Sequence, residues 1–170
     1  MEYKQTDVAL IAGGTSGLGK QTAKILLALG LKVFITGRCQ QKGESASEET
    51  GATFYPMDIC NYESVKSCFD NVLRNDLNLR IMVNCAGLSV AKRMVSKGEV
   101  HEARLFAEVI NTNLLGALYC ASLAATLIAK SDPINPDQQR GIIINTSSTA
   151  AFDGQIGQVA YAASKGGINA

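Results

Sequence analysis

The sequence predicts an α/β fold, a doubly wound parallel sheet in three layers. Three observations predict it. Five short apolar runs alternate with longer amphipathic stretches, the pattern of successive βαβ units. The first of these runs, Val-Ala-Leu-Ile at 8–11, has the unbroken apolar character of a strand covered on both faces. It leads directly into a glycine-rich turn and then a helical stretch.

The elements follow in order. After the strand at 8–11, apolar residues recur at helical spacing from 18 to 29 (Leu18, Ala23, Ile25, Leu26, Leu29), and Gly30 stops the helix. Residues 33–35 form the second strand, 41–49 a polar helix closed by Gly51, and 53–55 the third strand. Asn61 caps the next helix, whose inner face uses Val65, Cys68, Phe69, Val72 and Leu73. The fourth strand is 81–83 and a long helical region spans 102–130. A loop with Pro133 and Pro136 fills 131–139, the fifth strand is 141–144, and a last helix runs from near Gln158 to the end. Right-handed crossovers between such strands make the sheet Rossmann-like. No repeat, low-complexity segment or linker interrupts the pattern, so residues 1–170 read as a single domain.

Composition narrows the function. Hydrophobic residues are 46% and charged residues 18%, which excludes a disordered chain. Lys plus Arg is 16 and Asp plus Glu is 15, so no basic excess points to DNA or an anionic membrane. No uninterrupted apolar run reaches the roughly 18 residues that signal a membrane span. The start, Met-Glu-Tyr-Lys-Gln-Thr-Asp, shows neither a signal-peptide core nor an Arg-rich presequence. That argues against secretion and leaves a cytoplasmic or a mitochondrial location open. The five cysteines, at 39, 60, 68, 85 and 120, include no Cys-x-x-Cys pair and read as reduced thiols. His101 is the single histidine, without partners for a metal or a Ser-His-Asp triad. No metal site is expected.

Two constellations carry chemistry. The turn Gly13-Gly14-Thr15-Ser16-Gly17-Leu18-Gly19 lies between a strand and a helix. There, glycines let a pyrophosphate approach the backbone, and the helix N-terminus offers free N–H groups. A glycine-rich stretch alone is as often an ordinary turn; its place in the fold raises it above that. No Gly-Lys-Ser/Thr follows, so it is not a P-loop. The second constellation is Tyr161 and Lys165, four residues apart on one helix face, with Ser148 just past the fifth strand. A nearby cation favours the phenolate form of a tyrosine and suits it to acid–base work. Taken alone, such a pair is more often a surface contact.

Together these residues resemble the short-chain dehydrogenase/reductase family. The matching motifs are the glycine turn at 13–19, Asp58-Ile59, Asn84-Cys85-Ala86-Gly87, Asn113, Ser148, and Tyr161 with Lys165. The resemblance implies an NAD(P)-dependent oxidoreductase acting on a secondary alcohol or ketone. It implies that Tyr161 exchanges the proton, Lys165 binds the nicotinamide ribose, and Ser148 orients the substrate oxygen. It further implies that Asn113 distorts its helix, helped by Gly116, and holds a relay water; read from the residues alone, Asn113 is a solvent-facing helix position. Gly13, Thr15, Ser16, Gly17, Leu18 and Gly19 are implied for the cofactor phosphates, Asp58 and Ile59 for the adenine, and Asn84, Cys85, Ala86 and Gly87 for packing behind the cofactor. Stretches 84–91, 141–148 and 151–158 look like the type 2 3-hydroxyacyl-CoA dehydrogenase branch. That likeness implies an acyl-CoA or hydroxysteroid substrate, NAD as cofactor, a homotetramer, Gln158 at the substrate, and an extra loop from Ser89 to His101. Lys92, Arg93, Lys97 and Arg104 either meet CoA phosphates or are solvated surface charges.

Two departures stand out. Where the NAD-using branch carries an acidic residue, this chain has Gly37 followed by Arg38, which favours a 2′-phosphate and hence NADP. The chain also stops at Ala170, within the catalytic helix. The resemblance therefore implies a C-terminally incomplete dinucleotide-binding domain lacking the last strands of the family fold, with an open edge at the fifth strand and thin cover for Ala160, Ala163 and Ile168. The competing reading is a non-catalytic nucleotide-binding or scaffolding product.

Overall fold

A computed structural model of the chain describes residues 3–74 and 77–170. Met1 and Glu2, the start of the segment read for a presequence, lie outside the described residues. The elements in chain order are β1 (Asp7–Ala12), α1 (Gly17–Ala28), β2 (Lys32–Gly37), α2 (Gln40–Thr50), β3 (Thr53–Pro56), α3 (Tyr62–Val72) and β4 (Asn78–Asn84). A small hairpin follows, β5 (Val95–Ser96) and β6 (Glu99–Val100). Then come α4 (Ala103–Ile110), a π turn (Asn111–Leu115), α5 (Gly116–Lys130), β7 (Ile142–Asn145), a 3-10 turn (Thr149–Ala151) and α6 (Val159–Asn169).

Five parallel strands pair in the order β3-β2-β1-β4-β7. Alternation along β1 explains the three layers. Val8, Leu10 and Ala12 face α3 and α5, while Ala9 and Ile11 face α1 and α2, and all five are buried. The α3 face matches its expected residues: Val65, Cys68, Phe69 and Val72 are buried, and Leu73 packs beside them. Each such side chain removed from water contributes roughly 1.5–3 kcal/mol. Asn61 caps α3 by accepting the Ser64 N–H at 3.1 Å. Burial pushes the Cys68 and Cys120 thiols up to about 12, consistent with packing residues rather than reactive ones.

The structure corrects one expectation and adds to two others. In α1, Leu18, Ile25 and Leu29 are exposed, and the buried residues are Gly19 and Ala23, with Leu26 and Leu27 partly covered. Small residues let this helix lie close to the sheet. The extra loop at Ser89 to His101 contains the β5–β6 hairpin, whose turn residues Lys97 and Gly98 both have positive φ (51° and 83°), as a tight two-residue hairpin turn requires. Finally, Ala103–Lys130 is one helical run of 28 residues, long and apolar enough by composition to cross a membrane. No unbroken apolar run shows it in the sequence, because Asn111, Thr112, Asn113, Ser122 and Thr126 interrupt the stretch. Its buried residues Gly116, Ala117, Cys120, Ala124 and Ile128 form the core helix against β4.

β7 is an edge strand, with Ile142 and Ile144 exposed. On α6, Ala160 is buried, Ile168 is half-buried and Ala163 is exposed.

Candidate active site

The strand order reverses at β1, whose neighbours are β2 on one side and β4 on the other. The loops leaving the carboxyl ends of β1 and β4 diverge there and open a crevice, the usual ligand position in such sheets. A cleft of about 420 Å³ occupies that position. Gly13, Thr15 and Ser16 form its floor, and Ala86, Gly87 and Leu88 one wall.

Gly13 has φ +76°, and a Cβ on it would stand 2.6 Å from the Ala86 nitrogen. Only glycine lets the turn lie against the segment after β4. The Gly13 and Gly14 N–H groups both donate to the Thr36 carbonyl at 3.1 Å, which ties the turn to β2. Ser16 caps α1 in an extended conformation without a side-chain bond to the helix, so the first-turn N–H groups remain for a ligand. A backbone-lined cradle of this kind, which a Cβ would fill, fits a dinucleotide pyrophosphate.

The opposite rim is formed by Gly37, Arg38, Cys39 and Lys42. A Cβ on Gly37 would fall 2.9 Å from the Thr15 Cγ2, so a longer side chain there needs Thr15 to move. Arg38 and Lys42 form no ion pair among the described residues. The acid lining the adjoining hollow, Glu49, binds Lys20 at 2.7 Å and Lys24 at 2.8 Å. Those two hydrogen-bonded cations hold the Glu49 carboxyl down to about 2.

Tyr161, Lys165 and Ser148 do not line this cleft; α6, which carries Tyr161 and Lys165, adjoins its wall, with Lys165 near Cys85. The Lys165 ammonium donates to the Thr146 carbonyl at 2.6 Å and lies 5.7 Å from the centre of the Tyr161 ring. Burial lowers the pKa of this lysine, opposed by the Cys85 thiol nearby. Ser148 opens the 3-10 turn, and its Oγ accepts the Ala150 N–H at 3.2 Å.

Asn113 lies in the π turn and is 1% exposed. The helix distortion is as expected, but its origin differs. Gly116 has ordinary helical angles (φ −59°), and a Cβ on it would stand 2.7 Å from Ile59 Cγ1. This glycine serves close packing. Asn113 Oδ1 accepts the Leu88 N–H at 2.8 Å, and Nδ2 donates to the Leu88 carbonyl and the Ser164 hydroxyl. The side chain is therefore a clamp between the cleft wall and α6, and a relay water would have to sit on its main chain.

Of the residues expected at the cofactor, Gly13, Thr15, Ser16, Arg38, Ile59, Ala86 and Gly87 line the cleft. Gly17, Leu18 and Gly19 form the first turn of α1 behind it, with Leu18 exposed. Asp58 does not line it: Oδ1 accepts the Cys60 N–H at 3.0 Å in a local turn, and Met57 and Ile59 reach the cleft instead. Asn84 and Cys85 lie beneath; Asn84 is buried with its Oδ1 unpartnered. Gln158 caps α6 and pairs as a bridge with Lys92. Lys92 is bound to Glu102 at 2.5 Å, while Arg93, Lys97 and Arg104 are exposed. Sequence reasoning missed Lys42, Leu88, Thr112, Thr146 and Ser164. Lys42 stands four residues after Arg38, the one signal that was available.

The short chain dehydrogenase family model matches residues 7–170. The chain is 38% identical over 165 residues to the 3-hydroxyacyl-CoA dehydrogenase type-2 of Drosophila melanogaster, covering 95% of this chain and 64% of that protein. It is 37% identical to the human protein of the same name, with 95% and 63% covered. The crystal structure of 3-hydroxyacyl-CoA dehydrogenase type-2 from Mycobacterium avium superposes with a TM-score of 0.87 at 34% identity, covering 96% of this chain and 65% of that one. The chain thus spans just under two thirds of the length of these relatives.

Proposed function

Because the chain belongs to the short-chain dehydrogenase family, we propose that it binds a nicotinamide dinucleotide along the cleft and serves an enzyme that interconverts a secondary alcohol and its ketone. The substrate we propose is a 3-hydroxyacyl-CoA or a hydroxysteroid, a reading supported by the names of its relatives. The observation that carries the proposal is a backbone cradle and a tyrosine–lysine pair set on either side of one segment, the one that follows β4. The turn at Gly13 packs against Cys85 and Ala86, and a buried Lys165, with Tyr161 beside it, lies near the same Cys85.

When bound, the cofactor gives or takes a hydride. Tyr161 donates its phenolic proton to the carbonyl oxygen in reduction and receives it back in oxidation. Ser148 Oγ donates a hydrogen bond to the same oxygen. Lys165 holds the ribose beside Tyr161. At the far rim, Arg38 and Lys42 receive a 2′-phosphate, so NADP(H) is the preferred form. Gly37 offers no carboxylate to a free ribose diol, and Thr15 crowds the space a longer side chain would need.

The test is turnover of a 3-oxoacyl-CoA with NADPH and with NADH by the full-length protein and its Tyr161→Phe variant. The variant is expected to lose about 10²-fold or more in kcat with cofactor affinity kept. Near-normal turnover by the variant removes Tyr161 from the chemistry.

A further inference from the structure

Lys165 is 5% exposed, yet among the described residues no carboxylate pairs with it. The groups around its ammonium are the Thr146 carbonyl at 2.6 Å, the Tyr161 ring and the Cys85 thiol. A buried cation needs a fixed acceptor, and here that acceptor is a single peptide carbonyl.

That peptide lies just beyond the regular ladder. β7 ends at Asn145, opposite Asn84 at the end of β4. Past that point Thr146 grips the Asn84 carbonyl twice, with its backbone N–H at 3.1 Å and its Oγ1 at 2.8 Å. The second bond comes from a side chain, so it depends on which residue stands at 146. An aliphatic residue keeps the N–H bond and leaves the peptide freer to swing.

We propose that Thr146 is a positioning residue for Lys165: its hydroxyl, bonded to the Asn84 carbonyl, fixes the peptide whose own carbonyl holds the lysine ammonium in place for the cofactor ribose. An ammonium carries three donor hydrogens. One is taken by Thr146, and the others meet no acceptor among the described residues. Two free donors on an anchored nitrogen suit the vicinal hydroxyls of a ribose. The inference rests on the dinucleotide reading of the cleft.

The test uses the full-length protein and titrates NADPH and NADH by nicotinamide fluorescence, alongside cofactor KM and kcat. Thr146→Val keeps the shape and removes the hydroxyl. It is expected to weaken cofactor binding about 5-fold, the scale of one lost hydrogen bond, and to raise cofactor KM more than it lowers kcat. Thr146→Ser restores the hydroxyl and is expected to bind within twofold of wild type, taking twofold as the error of such titrations. A Val variant with wild-type affinity overturns the proposal, whatever its melting temperature. A Ser variant as weak as Val also overturns it, since the methyl group would then be the cause. Should Val not fold, Thr146→Ala against Thr146→Ser gives the same contrast, and equal affinities there overturn the proposal. Absence of cofactor binding by wild type would overturn the dinucleotide reading first and this inference with it.

Discussion

The two ends of the sheet each bury a cation and treat it in opposite ways. At the amino ends, Arg80 and Asp7 are both 2% exposed and meet at 2.7 Å. Arg80 also donates to the carbonyls of Asp132 at 2.8 Å and Arg140 at 2.9 Å, and Asp7 Oδ2 accepts the Lys4 N–H at 2.9 Å. This network ties β1, β4 and the loop before β7 together. At the carboxyl ends, Lys165 has one carbonyl and, among the described residues, no counter-ion. A cation paired with a carboxylate holds the fold, whereas one held by a lone carbonyl keeps donors for something not yet bound.

The contrast is sharpest if the cations are removed in turn. Arg80→Met is expected to destabilise the protein by about 3–5 kcal/mol, because it strands the buried Asp7 carboxylate. Adding Asp7→Leu to that variant should recover most of the loss, since an apolar pair can replace a buried ion pair. Urea unfolding of the single and double variants measures both; a double variant as unstable as the single one breaks the argument. Lys165→Met is expected to change stability by less than about 1 kcal/mol, having no carboxylate to strand. It should still weaken cofactor binding by roughly 10-fold or more, the scale of lost hydrogen bonds from a charged donor. A large stability loss in this variant would make both ends alike. The smallest effect belongs to the rim. Arg38→Ala and Lys42→Ala should each lower NADPH affinity roughly 5–10-fold, as expected for one partly solvated phosphate contact, with NADH affinity unchanged. Parallel titrations that fall equally for both cofactors would remove the rim from discrimination.

What was legible in the sequence follows from how each feature is encoded. The β1–turn–α1 unit and the Tyr161–Lys165 spacing are local, and local pattern suffices for them. The buried face of α1 was not legible, because Gly19 and Ala23 carry little hydropathy while Leu18, Ile25 and Leu29 carry much and face outward. The hairpin at 95–100 was missed because its two-residue strands are too short for any period to show. Asp58 was expected at the adenine, but its carboxylate turns back to the Cys60 N–H. Lys42 was missed because a cation on a polar helix reads as surface until the cleft is seen to run past it. Thr146 acts across 62 positions of chain on Asn84, a relation that no spacing rule contains.

The Asn113 clamp has a consequence for the thermodynamics of binding. By holding Leu88 from both its N–H and its carbonyl and reaching Ser164 on α6, it makes the wall of the cleft part of the rigid core. A ligand arriving there has little left to immobilise. Arg38 and Lys42, long and unpaired on the opposite rim, must each give up roughly 1.5–2 kcal/mol of rotamer freedom if they close on a phosphate. Recognition at the floor and wall is thus pre-ordered, and discrimination at the rim carries an entropic penalty, so the two cofactors should differ in binding entropy as well as in affinity.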